Sequence, residues 1–367
     1  MRFILALLLF ATINSTAQKP ENFVELIKLP EGFKIELFAA EIENARSLAQ
    51  GPEGIIFVGS RGEGNVYAVV DKDGDWKADT TYVLASGLNM PNGVAYKNGN
   101  LYIAEVSRVS VMRDVCNDLR VPPEMETIRD DFPTDKHHGW KYIAFGPDGK
   151  LYVPVGAPCN ICLKEDERYA SIMRMNEDGS ELEVYASGIR NSVGFDWHPT
   201  SKDLWFTDNG RDWLGDTKPN DELNHAPEKG LHFGYPFCHA GEYLDPKFGD
   251  GKNCTEYVSP AQQLGAHVAS LGITFIEQNI FPAEYQRSIF IAEHGSWNKT
   301  IPDGYRITRV ELDGDKAIKY EVFAEGWLSG AERFGRPVDI LEMADGSLLV
   351  SDDHANCIYR ISFSQDR

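Results

Sequence analysis

The sequence predicts an all-β protein, a six-bladed β-propeller, and three observations carry that reading. Short runs of β-branched and aromatic residues are punctuated by Asp-Gly and Asn-Gly turns along the whole chain. One strand–turn–strand unit recurs six times, about 45 to 80 residues apart, the range of propeller blades that carry loop insertions. A spare strand stands ahead of the first unit, where it can close a ring and remove the exposed edge.

The first unit runs from Ser47-Leu48-Ala49 through Gly51-Pro52-Glu53-Gly54 to Ile55–Val58 and then Asn65–Val69. The second has Gly93–Tyr96, a turn at Asn98-Gly99, and Leu101–Ala104. The third has Ile143–Phe145, the turn Gly146-Pro147-Asp148-Gly149, and Leu151–Val153. Val193–Phe195 and Leu204–Thr207 make the fourth, Gly272–Phe275 and Ile289–Ala292 the fifth, and Val338–Leu341 and Leu348–Ser351 the sixth. Such a unit cannot bury both faces alone, so the six must pack on one another around an axis. The spare strand, Phe33–Phe38, is expected beside Ile358–Ile361 of the last unit. No linker or composition break divides the chain, so residues 18–367 read as one domain, against a rival β-sandwich with a second domain.

Composition agrees. The 33 glycines, 19 prolines and 11% aromatic content favour short strands and tight turns over helices. A formal charge of -20 excludes nucleic acid, since a polyanion would be repelled, and suits a neutral substrate or bound divalent cations. Residues 1–17 read as a signal peptide: Arg2, an apolar run from Phe3 to Ala11, and Ser15-Thr16-Ala17 before Gln18. That run is too short to span a bilayer, so the mature protein is expected to be exported, periplasmic or secreted. Six cysteines fit that compartment. Cys238 and Cys254 flank a loop that a bridge would close. Cys159 and Cys162 form a CxxC, either a short bridge or two thiols; it lacks the following His of a haem c site and the second CxxC of a zinc ribbon.

The repeat also locates a site. The innermost strand of each blade begins at one end of the central channel, so the residues just before it converge there. These are Arg46, Asn92, His138, Arg190 with Asn191, His267 and Arg336. Three arginines, two histidines and two amides around one funnel call for an anionic or polar ligand.

Several longer motifs resemble the soluble quinoprotein sugar dehydrogenases, the glucose and sorbosone dehydrogenase family, on its sorbosone-type branch. They are HHGWKYIAFGPDGKLYVPVG from His137, GIRNSVGFDWHP from Gly188, DNGRDWLGDTKPNDELN from Asp208, GLHFGYPFC from Gly230, HGSWNKTIPDGYRITRV from His294 and GRPVDILEMADGSLLVSDD from Gly335. The resemblance implies a funnel that holds pyrroloquinoline quinone (PQQ) with calcium. It also implies oxidation of an aldose or related sugar aldehyde by hydride transfer to the quinone, with electrons leaving to a separate acceptor. It places the general base on His138, with His137 the adjacent alternative. A neutral imidazole suits that task near pH 7. Arg190, Asn191, Arg336 and Arg46 fall in the cofactor-binding set, with Lys299 near the position of a family lysine; guanidinium forks orient carboxylates. The turn Asp208-Asn209-Gly210-Arg211 corresponds to the cofactor calcium, with the Gly210 and Arg211 carbonyls as ligands, and Asp221 and Glu222 to a structural calcium. One departure stands out: the acidic residue that orients the family histidine falls near Ala157, so His138 must be oriented differently.

Two other readings compete, a non-catalytic carbohydrate-binding propeller and a metal-dependent lactonase, the latter requiring carboxylates at the axis. Trp140, Trp213 and Trp297 lie in loops where they can stack on sugar rings. The acidic run Asp71-Lys72-Asp73-Gly74-Asp75 with Asp79 alternates like a calcium loop but lacks EF-hand spacing and reads equally as a hairpin tip.

Overall fold

A computed structural model describes Pro20 and residues 23–278 and 280–364; the expected signal peptide lies outside them. Six four-stranded antiparallel sheets form the blades of a propeller. The first comprises Ala45–Gln50, Ile55–Ser60, Val66–Val70 and Thr80–Ala85, and the second Gly93–Lys97, Asn100–Ala104, Val109–Met112 and Met125–Arg129. Ala144–Phe145, Leu151–Val155, Ser171–Met175 and Glu183–Ser187 make the third. The fourth is Phe195–Trp197, Leu204–Asp208, Asn220–Ala226 and Gln262–Ala266, and the fifth Ser270–Phe275, Ser288–Glu293, Arg306–Asp313 and Lys316–Glu325. Pro337–Glu342, Leu348–Asp352 and Cys357–Phe363 are completed by Phe33–Ala39.

The spare strand therefore closes the ring as expected, with Phe33 opposite Phe363, Ile35 opposite Ile361 and Ala39 opposite Ile358. Phe33 secures it, its ring meeting Phe281, Tyr285 and Phe323 edge-on at 4.9 to 5.0 Å. The second strands of the blades are the driest, because both faces pack on neighbours: Leu204–Asp208 and Ser288–Glu293 are buried throughout. Apolar contacts also bridge blades, as where Phe57 stacks on Tyr96 and Tyr102 meets Phe145.

Two aspartates stitch the inner strands together. Asp196 of the fourth blade accepts from Phe275 N of the fifth at 2.9 Å. Asp339 of the sixth accepts from Leu48 N of the first at 2.8 Å. Burial raises both carboxyls to about 7. Both candidate disulfides are formed, Cys159–Cys162 and Cys238–Cys254. The second clips the excursion between the third and fourth strands of blade four. No helix among the described residues is long and apolar enough to cross a membrane.

Candidate active site

The loops ahead of the innermost strands meet at a cavity of about 310 Å³, lined by Arg46, His138, Arg190, Asn191, His267 and Arg336. Asn92 is the exception among the residues expected there. It sits behind the wall, accepting from Arg46 Nε at 2.7 Å and donating to Lys141 O at 2.8 Å. The antiparallel arrangement adds a second set that the repeat did not reveal. The second strand of each blade ends at the rim where the first begins, so the loop after it also faces the funnel. Arg61 follows Ile55–Ser60, His294 follows Ser288–Glu293, and Asp353 follows Leu348–Asp352. Arg61 and His294 line the cavity directly. Arg61 lies over the Trp140 ring at 4.7 Å, with no ion-pair partner among the described residues.

His138 is buried and held at φ 52°. Its Nδ1 lies 2.8 Å from the Ala157 carbonyl oxygen, which can only accept, so Nδ1 carries the proton and Nε2 keeps its lone pair. A backbone carbonyl, not an acidic side chain, orients the ring. Burial, reinforced by the charge of Arg190 and by His137, holds the imidazole well below its ordinary pKa, although the Ala157 bond acts in the opposite sense. His138 is therefore neutral at pH 7. The His137 ring lies tilted against it, with centroids 4.0 Å apart and planes at 52°, and does not line the cavity.

The loop that supplies Ala157 also fixes Arg190. Asn160 accepts from Arg190 Nε through its carbonyl at 2.9 Å and from Nη2 through Oδ1 at 3.0 Å. The Cys159–Cys162 bridge closes this same loop, and Tyr235 Oη accepts from Cys162 N at 3.0 Å. Beneath it, Asp208 accepts from the backbone N–H groups of Arg190 and Asn191 at 2.8 and 2.6 Å. On the opposite wall Asp353 accepts from Arg46 Nη1 at 2.8 Å, and its Oδ1 lies 2.7 Å from His294 Nε2. Burial opposes the charge of Asp353, but His294, Arg46 and Arg336 hold its carboxyl well below the usual range. Burial lowers His294 to about 4 despite that partner. Arg336 donates to the His294 and Gly295 carbonyls at 3.0 and 2.7 Å.

The residues expected to hold metal divide. Gly210 and Asp221 line the funnel, and Asp221 accepts from Gly210 N at 2.9 Å. Burial raises Asp221 to about 6. The side chain of Arg211 leaves the funnel to pair with Asp245 at 2.5 Å. Asp208 and Glu222 face one another across their strands one layer below; burial raises both, helped at Glu222 by the charge of Asp208 and at Asp208 by that of Asp221. Glu222 accepts from Ala240 N and Asn224 Nδ2, away from the cavity. Lys299 is not brought to the funnel: Asp303 holds its ammonium at 2.8 Å, because the 294–303 loop folds back on itself. The alternating acids Asp71, Asp73 and Asp79 do converge, but at a hairpin on the outside of the first blade.

The donor set fits a planar polyanion. Four arginines line the funnel against two carboxylates, Asp212 and Asp221, and Trp140 Nε1 is buried without a partner among the described residues. The Asp221 carboxylate, which lines the funnel, is a hard oxygen donor of the kind calcium takes.

Comparison with known proteins agrees with this architecture. Residues 19–363 match the family model described as a domain of unknown function, DUF7133. An uncharacterized protein of Borreliella burgdorferi is 35% identical over 96% of this chain and 95% of its own length. A 122-residue stretch, 32% of this chain and 30% of the other, is 30% identical to the aldose sugar dehydrogenase YliI of Escherichia coli. Among solved structures, the holo form of the pyranose dehydrogenase PQQ domain of Coprinopsis cinerea superposes with a TM-score of 0.78 at 17% identity, covering 92% of this chain and 97% of that one. The chain is thus a six-bladed propeller that belongs to the DUF7133 family.

Proposed function

We propose that this protein is a PQQ-dependent sugar dehydrogenase that oxidises an aldose or related sugar aldehyde, with His138 as the general base. The observation that carries the reading is the state of His138. It is a buried, neutral imidazole whose Nδ1 proton is fixed on the Ala157 carbonyl, in a funnel lined by arginines. The similarity of one stretch to an aldose sugar dehydrogenase supports the substrate class, and the fold shared with a PQQ domain supports the cofactor.

Arg190, Asn191, Arg336 and Arg46 would hold the cofactor, joined by Arg61, and the Gly210 turn with Asp221 would hold calcium. When bound, PQQ supplies a two-electron hydride acceptor and calcium polarises it. The chain's own part is proton handling and orientation. His138 Nε2 would take the proton of the substrate's C1 hydroxyl as hydride leaves C1, and the Ala157 carbonyl would stabilise the resulting imidazolium through Nδ1. The Asn160 and Asp208 contacts hold Arg190 and Asn191 rigidly, so the guanidinium needs no rearrangement as negative charge develops beside it. A lactonase reading is disfavoured by a lining with four arginines and two carboxylates.

We also propose export, which the N-terminal leader pattern and the two disulfides support, and delivery of electrons to a separate acceptor. The test is dye reduction by the mature protein with PQQ and calcium, across aldoses and sorbosone. Sugar-dependent turnover that requires both additions is expected. Absence of PQQ binding would overturn the proposal.

A further inference from the structure

Two tryptophans at the funnel mouth stay in solvent although each carries a large apolar ring. Trp213 is 67% exposed and Trp297 61% exposed. Their rings meet edge to face, with centroids 5.4 Å apart and planes at 86°, which forms a right-angled apolar corner. Trp297 also lines the funnel, so the corner is continuous with the candidate active site. Trp213 is held at φ 70°, where a bulky side chain is a backbone outlier. Such conformations persist only when the surroundings impose them, and they concentrate at ligand clamps.

The surroundings here do impose it. Asp212 ties the two loops, accepting from Asn298 Nδ2 at 2.8 Å and from Arg190 Nη2 at 3.2 Å. Its own N–H donates to Asn160 Oδ1 at 2.8 Å. A second tie runs from Thr300 N to Asp216 at 3.1 Å. Next to Trp297, Asn298 Oδ1 is buried with no donor among the described residues. The two loops that carry the corner are thus tied together, with polar groups around it.

We propose that the Trp213–Trp297 corner is a second carbohydrate subsite that stacks the pyranose ring next to the reacting one, so that the preferred substrates are glycosidically linked sugars. The inference rests on the sugar-oxidising reading above and names its substrate class. Aromatic faces take the C–H face of a sugar ring, while neighbouring amide and carboxylate groups take its hydroxyls. A ring reacting at His138 would occupy the funnel, and the next ring of the chain would leave it past Trp297, which lines it, and the Trp213 ring that Trp297 touches.

The test uses the full mature chain and two readouts. The first compares kcat/KM for glucose and xylose with that for cellobiose, maltose and xylobiose. In Trp213→Ala the ratio of disaccharide to monosaccharide kcat/KM should fall roughly ten-fold, the scale of one lost stacking contact. The second is calorimetric binding, without PQQ, of the borohydride-reduced disaccharides, whose C1 is a primary alcohol in place of the reacting hemiacetal. They should bind the wild type and bind Trp213→Ala roughly ten-fold more weakly, with Trp213→Phe restoring most of the affinity. If no sugar is turned over yet the alditols bind in this Trp-dependent way, the dehydrogenase reading fails and the subsite stands. Equal losses for mono- and disaccharides, no alditol binding to the wild type, or a change only in KM for a protein electron acceptor would each overturn the subsite.

Discussion

His138 and His294 line the same funnel from opposite walls, both buried and both neutral at pH 7, yet their partners differ. His138 has a backbone carbonyl on Nδ1 and keeps Nε2 for a ligand. His294 has its Nε2 on the Asp353 carboxylate, which is itself bound to Arg46. A carbonyl fixes the tautomer without adding charge, which leaves a base that can take a proton and give it up. The carboxylate instead ties His294 into a network of buried ions that shapes the wall. If His138 is the base proposed above and His294 a wall residue, removing each should produce a different kind of damage.

The largest separation is expected in turnover. His138→Ala should lower kcat by about 10²- to 10⁴-fold, the range for a lost general base, while PQQ affinity changes little. His294→Ala should act mainly on cofactor affinity. Stopped-flow reduction with separately measured PQQ binding distinguishes the two, and equal kcat losses would break the contrast. Next comes the ion network. Asp353→Asn leaves Arg46 buried without its anion and should destabilise the fold by about 3 to 5 kcal/mol in denaturant unfolding, whereas His138→Ala should not.

The two disulfides sharpen the comparison further. Cys238–Cys254 closes a span of 16 residues and Cys159–Cys162 one of 3. Loop-closure entropy assigns the longer bridge about 3 kcal/mol and the shorter about 2. Only the shorter one braces the loop that holds both His138 and Arg190. Cys159→Ser/Cys162→Ser should therefore lose several-fold in kcat for a modest loss of stability, and Cys238→Ser/Cys254→Ser should show the reverse. The smallest effect is on pH dependence. Because the His138 pKa is depressed, its basic form persists below pH 6.5, and the acid limb of kcat/KM should fall below that value. An acid limb at or above it would mean that another group titrates.

Much of this was legible in the sequence. The closing strand was read at Phe33–Phe38, one residue short of its end at Ala39. Second strands such as Ile55–Ser60, Leu204–Asp208 and Ser288–Glu293 are buried throughout and show as short β-branched and aromatic runs, so the six-fold repeat could be read from them. The outermost strands could not be read in this way. Thr80–Ala85 is half-buried or exposed apart from Leu84, and Lys316–Glu325 carries four charges in ten residues, so neither stands out from a polar loop. In the site, residues ahead of the first strand of each blade were found because the repeat marks that position. Arg61, His294 and Asp353 were missed because they follow the second strand, although the same antiparallel geometry brings them to the same rim. The Ala157 contact had no side-chain signal, since a backbone carbonyl does the orienting.

The most direct measurement is an equilibrium titration of PQQ, with calcium present, into the wild type and Arg190→Ala. One PQQ bound per wild-type chain, with affinity lost in the variant, is the predicted result. A wild type that binds no PQQ, or an Arg190→Ala protein that binds it equally well, would contradict the account.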